Sequence, residues 1–260
     1  MLLCFTCNRD RAWLLAHIRD ALDEALRTIF EQAVERRARR EPLQYITGKQ
    51  EFWGLDFLVN AEVLIPRPET ELIIESVLNG VSGKEEPLRI VDLCTGSGCI
   101  AVSLAKELPA AALAATDASA SALSVARDNA RRHGVSDRIR FLEGDLFEPL
   151  EAGNIVCRVD IIVSNPPYVP TGDRRALQPE VGEYEPSMAL FAGPGGTELH
   201  RRIIDAAPLF LKSGGTLIME MGMGQAETIA GMIKKDNRYL SCETLKDLAG
   251  IERVVMAKRI

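Results

Sequence analysis

The sequence predicts an α/β protein: a doubly wound parallel sheet preceded by a small N-terminal helical lobe and a linking β-hairpin. Three observations lead there. From Leu88 onward, apolar runs of strand length alternate with helix-length stretches, the pattern of repeated βα units. Ahead of Pro42 the apolar residues recur at helical spacing. Between the two, residues 44–65 carry short apolar clusters broken by Gly48 and Gly54, which reads as a hairpin. The 260 residues divide accordingly into a helical lobe at 1–43, a hairpin and linker at 44–70, and a principal domain at 71–260.

In chain order, Trp13, Leu14, His17, Ala21, Leu22, Ala25, Leu26, Ile29, Phe30 and Ala33 predict one helix over 11–40. Its charged close, Glu35 to Arg40, reads as a solvated helix end whose cations suit the C-terminal dipole, rather than as a nucleic-acid patch. Up to Glu41 the lobe holds 8 basic and 7 acidic residues, so it is no basic arm. Tyr45, Ile46, Phe52, Trp53, Leu55, Phe57 and Leu58 supply the hairpin. In Ile65-Pro66-Arg67-Pro68-Glu69-Thr70-Glu71 the prolines force extended backbone, and a helix opens that runs to Leu78. Strands are then predicted at 88–93, 111–116, 139–143, 159–164, 216–221 and 254–258, and helices at 98–108, 120–133, 195–211 and 225–234.

Composition narrows the function. Hydrophobic residues make up 47% and charged residues 26%, which excludes disorder as the main state. A net charge of −6 and a pI near 5.3 argue against a protein that holds nucleic acid by bulk positive charge. No targeting segment opens the chain, and no apolar run approaches the roughly 18 residues of a membrane span. A cytoplasmic protein with reduced thiols is expected. Cys4 and Cys7 form one C-x-x-C, but no second pair follows and His17, His133 and His200 are scattered, so no metal is expected.

The chemistry lies at strand ends. After the first strand comes Asp92-Leu93-Cys94-Thr95-Gly96-Ser97-Gly98, a glycine turn that lets backbone approach a ligand closely. Ala101 stands where a dinucleotide fingerprint has its third glycine. Asp117 closes the second strand 19 residues past Gly98, at the spacing of an acid that binds ribose hydroxyls; its plainer reading is a helix N-cap. Asp145 and Leu146 follow the third strand, placed to accept an adenine amino group and to flank the ring. No arginine stands near Asp117 to pair a phosphate, so a phosphate-free nucleoside suits the site. The fourth strand ends in Asn165-Pro166-Pro167-Tyr168, a tetrapeptide that average residue usage would give by chance in about one such chain in a thousand. An amide or aromatic amine is a poor nucleophile because its lone pair is delocalised. The Asn165 side-chain oxygen and the Pro166 carbonyl can bind its two N–H groups, aiming the lone pair at an electrophile and stabilising charge developing on nitrogen. Tyr168 can pack over the planar group.

These residues resemble class I S-adenosylmethionine-dependent methyltransferases. More narrowly, Gln44-Tyr45-Ile46-Thr47-Gly48, Phe52-Trp53-Gly54-Leu55, the segment Ile65 to Glu71, Glu185-Pro186 and Asp247-Leu248-Ala249-Gly250 resemble the family that methylates the Gly-Gly-Gln glutamine of bacterial peptide-chain release factors. The resemblance implies a Rossmann-like sheet and S-adenosyl-L-methionine as methyl donor, with S-adenosyl-L-homocysteine as product. It implies cofactor contacts from Thr95, Gly96, Ser97, Gly98, Asp117, Asp145, Leu146 and Asn165. It further implies that Asn165, Pro166, Pro167 and Tyr168 hold the glutamine amide, and that Arg67, Pro68, Glu69 and Thr70 line a lid on the substrate side. Release factors 1 and 2 would be the protein substrates of a monomeric enzyme with no stable nucleic-acid partner and no membrane. Two features depart from the family pattern: Cys94 stands at a usual glycine, and the helical lobe ahead of Gln44 is short. Three rival readings share the motifs: a nucleic-acid adenine or guanine N-methyltransferase, a glutamine methyltransferase acting on a ribosomal protein, and a non-catalytic cofactor-binding module.

Overall fold

The computed structural model describes residues 1–152 and 158–260. The chain opens with helices α1 (Leu2–Cys7), α2 (Arg11–Ala16) and α3 (Glu24–Ala38). The single helix predicted over 11–40 is therefore two. Asp23 explains the division, while Asp10 starts α2 where the helix was expected to begin. Asp10 accepts a hydrogen bond from the Trp13 N–H at 2.7 Å, and Asp23 from the Leu26 N–H at 2.8 Å, the N-cap bond that starts a helix. Ala21 and Leu22 keep the helical spacing across the break, so periodicity does not show it.

Next come α4 (Leu43–Thr47) and the hairpin strands β1 (Lys49–Phe52) and β2 (Leu55–Leu58), antiparallel with Phe52 opposite Leu55. Residues 44–47 thus form a helical turn where strand was expected. Five residues are too few to tell a period of 3.6 from a period of 2, and Gly48, at φ +72°, ends the turn. Phe52 and Phe57 are fully buried, edge to face at 6.0 Å. A 3₁₀ turn over Pro68–Thr70 leads into α5 (Glu71–Gly80).

The principal domain then alternates: β3 (Arg89–Leu93), α6 (Cys99–Glu107), β4 (Ala112–Asp117), α7 (Ala120–Arg132), β5 (Ile139–Glu143), α8 (Glu148–Ala152) and β6 (Val159–Ser164). An excursion follows, with β7 (Val169–Pro170), α9 (Pro179–Gly182), α10 (Ser187–Leu190) and β8 (Phe191–Gly193). The chain closes with α11 (Glu198–Phe210), β9 (Leu211–Glu220), α12 (Ala226–Lys235), β10 (Tyr239–Lys246) and β11 (Glu252–Arg259). The central sheet has the order β10-β11-β9-β6-β3-β4-β5. Its pairings are parallel from β9 through β5, while β11 runs antiparallel to both β9 and β10. The sheet is therefore mostly, not wholly, parallel. The sequence pattern does not reveal β10, because this edge strand is largely solvated and its Leu240 is 72% exposed.

Period-2 alternation sends neighbouring side chains to opposite cores. Ile90, Val163 and Ile218 join one cluster with α5 and α6, while Val91, Ile162 and Leu217 join another with α11 and α12. No helix among the described residues is long and apolar enough to cross a membrane. Cys4, Cys7, Cys94, Cys99 and Cys242 are free thiols, and Cys157 lies outside the described residues.

A buried side chain helps to fasten the hairpin to the sheet domain. Asn129, fully buried on α7, accepts the Leu58 N–H at 2.7 Å and donates to the carbonyls of Leu58 and Ser97 at 3.0 and 2.9 Å. Asn129→Ala leaves these backbone groups without partners, at about 1–3 kcal/mol for the costliest. We expect a loss of about 2–4 kcal/mol of unfolding free energy in urea titration. A loss below about 1 kcal/mol would refute the tether.

Candidate active site

Behind β3 the backbone turns through Cys94, Gly96 and Gly98, at φ +58°, +54° and +79°. Cys94 thus holds a left-handed conformation that favours glycine. Gly98 has no room for a side chain: a Cβ there would meet the Ala126 Cβ at 3.0 Å and its Cα at 3.2 Å, on α7. Asp117, at the end of β4, braces the turn by accepting the Gly96 and Ser119 N–H groups, each at 2.9 Å. It is not the cap of α7; Ser119 is, accepting the Ala122 N–H at 3.1 Å. Burial lifts the Asp117 carboxyl above its usual range, against the opposing effect of its backbone hydrogen bonds. The Thr95 hydroxyl donates to Asp92 Oδ2 at 2.6 Å, and burial pushes the Asp92 carboxyl up to about 7.

Leu146 follows β5 at φ +50°, its carbonyl accepting the Thr116 hydroxyl at 3.0 Å. Asp145 pairs with Arg202 of α11 at 2.7 Å, a partner the sequence did not indicate. Thr70, Thr95, Gly96, Ser97, Asp117, Asp145, Leu146, Asn165 and Pro167 line one cavity of about 500 Å³. Gly98, Arg67, Pro68, Glu69, Pro166 and Tyr168 stand outside its lining. The lining includes the carboxylates of Glu62, Asp117 and Asp145 and, among the described residues, no lysine or arginine. Such a wall suits a nucleoside that carries positive charge and no phosphate.

Behind Asn165 lies a network that sequence reasoning missed. Glu220, at the end of β9, is 2% exposed. Its Oε2 accepts the Thr70 hydroxyl at 2.5 Å and its Oε1 the Tyr168 hydroxyl at 3.3 Å, while Asn165 Nδ2 donates to Thr70 Oγ1 at 3.1 Å. Burial pushes the Glu220 carboxyl up to about 7, even though both hydroxyls stabilise its ionised form. Gln225 supports the same motif, donating to the carbonyls of Tyr168 and Gly196 at 2.9 and 3.1 Å. The one available signal was an acid closing the apolar run Leu217-Ile218-Met219 at a strand's carboxyl end.

Arg67 does not point freely toward a substrate. It pairs with the buried Glu185 at 2.6 Å. The segment between β7 and β8 also grips the helical lobe. Glu180 accepts from Arg37 and Arg40 at 2.8 and 2.7 Å, and the Tyr184 hydroxyl donates to the Arg39 carbonyl at 2.5 Å. The basic close of α3 is thus engaged with the sheet domain rather than merely solvated.

Two expectations follow. Gly98→Ala strains a left-handed position and drives a methyl into α7, so cofactor affinity should fall at least tenfold by calorimetric titration; unchanged affinity would contradict the tight fit. The second concerns pH. A carboxyl whose folded pKa is raised binds protons preferentially in the folded state, so its cost to stability is present above about 7 and fades as the pH falls toward the unfolded value near 4.3. Glu220→Gln removes this titration. Wild type should gain about 2 kcal/mol relative to that variant between pH 8 and pH 5 in paired denaturant titrations. A difference that does not change with pH would rule out the buried titrating acid.

Residues 1–48 match the family profile described as PrmC N-terminal domain, and residues 70–178 match the methyltransferase small domain. The chain is 46% identical to the release factor glutamine methyltransferase of Geobacter sulfurreducens, over 98% of this chain and 86% of that protein. It is 40% identical to that of Moorella thermoacetica, over 100% of this chain and 89% of the relative. A solved methyltransferase from Pyrococcus furiosus shares the fold, with a TM-score of 0.57 at 18% identity, across 86% of this chain and 98% of that one. Identity of this extent, with the glycine turn, the acids and the Asn165 motif meeting at one sheet edge, means that the chain belongs to the release factor glutamine methyltransferase family.

Proposed function

We propose that this protein transfers a methyl group from S-adenosyl-L-methionine to the side-chain amide nitrogen of the Gly-Gly-Gln glutamine in peptide-chain release factors 1 and 2. The observation that carries the reading is Asn165, which lines the acid-walled cavity while its amide nitrogen is held from behind by Thr70. When bound, the cofactor supplies an electrophilic methyl on a sulfonium sulfur. Thr95, Gly96 and Ser97 would hold one side of it, with Gly98 shaping the turn against α7, Asp117 would accept from its ribose hydroxyls, and Asp145 and Leu146 would receive the base. Asn165 Oδ1 and the Pro166 carbonyl accept the two N–H bonds of the glutamine amide. That arrangement fixes the amide plane so that the nitrogen lone pair faces the methyl, and it stabilises positive charge developing on nitrogen, so the proton can depart after the methyl arrives. The Tyr168 ring covers the amide plane, and its hydroxyl is anchored on Glu220. The segment Arg67 to Thr70, which reaches the cavity through Thr70 and is pinned at Arg67 by Glu185, would close the substrate side, with residues 1–43 as the docking lobe ahead of the hairpin and linker. The protein works in the cytoplasm as a monomer, without metal or membrane.

The test is mass spectrometry of release factors incubated with the protein and S-adenosyl-L-methionine. A monomethylated Gly-Gly-Gln glutamine is expected. An unmodified glutamine, with cofactor shown to bind, would overturn the reading; methylation of DNA, ribosomal RNA or ribosomal protein in parallel reactions would replace it. Asn165→Ala should lower kcat by about 100-fold or more, the loss typical of removing one preorganised hydrogen-bonding group, with cofactor affinity changed by less than about threefold. Wild-type turnover in that variant would remove Asn165 from the chemistry.

A further inference from the structure

We propose that Glu220 and Thr70 form a one-directional hydrogen-bond relay that decides which atom of the Asn165 side-chain amide faces the substrate. The inference rests on the reading of Asn165 given above and adds two positioning residues to it.

A threonine hydroxyl carries a single proton, and a carboxylate carries none. With Glu220 ionised, the 2.5 Å contact from Thr70 Oγ1 to Glu220 Oε2 uses the Thr70 proton. Toward Asn165, Thr70 is then an acceptor only. It takes an N–H from Nδ2, at 3.1 Å, and this turns Oδ1 the other way. In the flipped amide, Oδ1 and Thr70 Oγ1 would face each other with no proton between them. An amide released from Thr70 loses both its orientation and its place: it samples the flipped state, whose N–H groups cannot accept the substrate's protons, and it no longer holds Oδ1 at a fixed distance from the substrate. The anchor itself is fixed. Glu220 Oε1 takes the Tyr168 hydroxyl, and its backbone carbonyl is hydrogen-bonded to His200 Nε2 at 2.7 Å. Thr70 is 1% exposed and Glu220 2%, so water does not compete for the bond between them.

The relay also has a reversed state. A protonated Glu220 donates to Thr70, whose own proton then goes to Asn165 Oδ1. The groups that face the carboxyl are Glu69 before α5, which favours protonation, and Arg253 on β11, which opposes it, with Tyr168, Thr70 and the Cys99 thiol of α6 completing the shell. Glu220 changes charge at about 7, so the direction of the relay changes in the neutral range.

The experiment measures kcat on release factor, cofactor affinity and the pH profile. Thr70→Val keeps the shape and removes the hydroxyl. The expected result is a kcat loss of about tenfold with cofactor affinity within twofold, and recovery to within about threefold of wild type in Thr70→Ser. In Glu220→Gln the relay no longer titrates, so the ratio of its kcat to that of wild type should rise at least threefold from pH 8 to pH 6. The nearby Asp92 titrates in both proteins and cancels from the ratio. Thr70→Val turnover within threefold of wild type, an equal loss of cofactor affinity, or a ratio independent of pH would each overturn the relay. Wild type leaving release factor unmodified would overturn the substrate reading alone. The Asn165 side-chain protons would then decide, in ¹⁵N-asparagine spectra assigned with Asn165→Asp: one protected from exchange in wild type and exposed in Thr70→Val upholds the relay, and equal exchange in both overturns it.

Discussion

Leu93 ends β3 beside Ser164 at the end of β6, and the Ser164 hydroxyl donates to the Leu93 carbonyl at 2.8 Å. The two strands are parallel neighbours, yet the chain leaves them for opposite faces of the sheet. After β3 it runs to α6, packed with the hairpin and α5; after β6 it runs to α11, packed with α12. Diverging connections at adjacent strand ends open a crevice that no helix fills. The glycine turn stands on one lip and Asn165 on the other. Slipping this one pairing by a residue would turn β6, and Ser164 with it, to the wrong face relative to β3 and separate the two halves of the site.

The strand ends explain why so much of the site could be read from sequence. Asp117, Asp145 and Asn165 each close an apolar run, and in a parallel sheet the ends of such runs share one edge. What stayed hidden was carried by single bonds between remote residues. Arg202 on Asp145, Glu185 on Arg67 and Glu220 on Thr70 obey no spacing rule, because a side-chain contact across the fold leaves no period behind. The helical errors have a local cause. Asp23 restarts the helix inside the predicted span by one capping bond, which outweighs a few tenths of a kcal/mol of propensity per residue. β10 escaped because an edge strand half in water has no apolar pattern to show.

Cys94 shows how the fold carries a local cost. A non-glycine residue at φ +58° costs on the order of 1 kcal/mol. The turn keeps it because Gly96 and Thr95 are pinned on both sides, by Asp117 and by the Thr116 carbonyl at 3.0 Å. The helical lobe is held differently. Its ion pairs to Glu180 are partly exposed and individually weak. They act together with the Tyr184 bond and the buried Glu185 pair, so the segment between β7 and β8 bridges the lobe and the cavity.

The bond between Thr70 and Glu220 joins residues 150 positions apart, and that from Asn165 to Thr70 spans 95. Contacts of such separation are slow to form, since the closure entropy of the long loop must be met before the bond gives anything back. On a ribosome Asn165 therefore emerges well before β9, the strand that carries Glu220. The network around Thr70 can close only once β9 has been made, when α12, β10 and β11 alone are still to come.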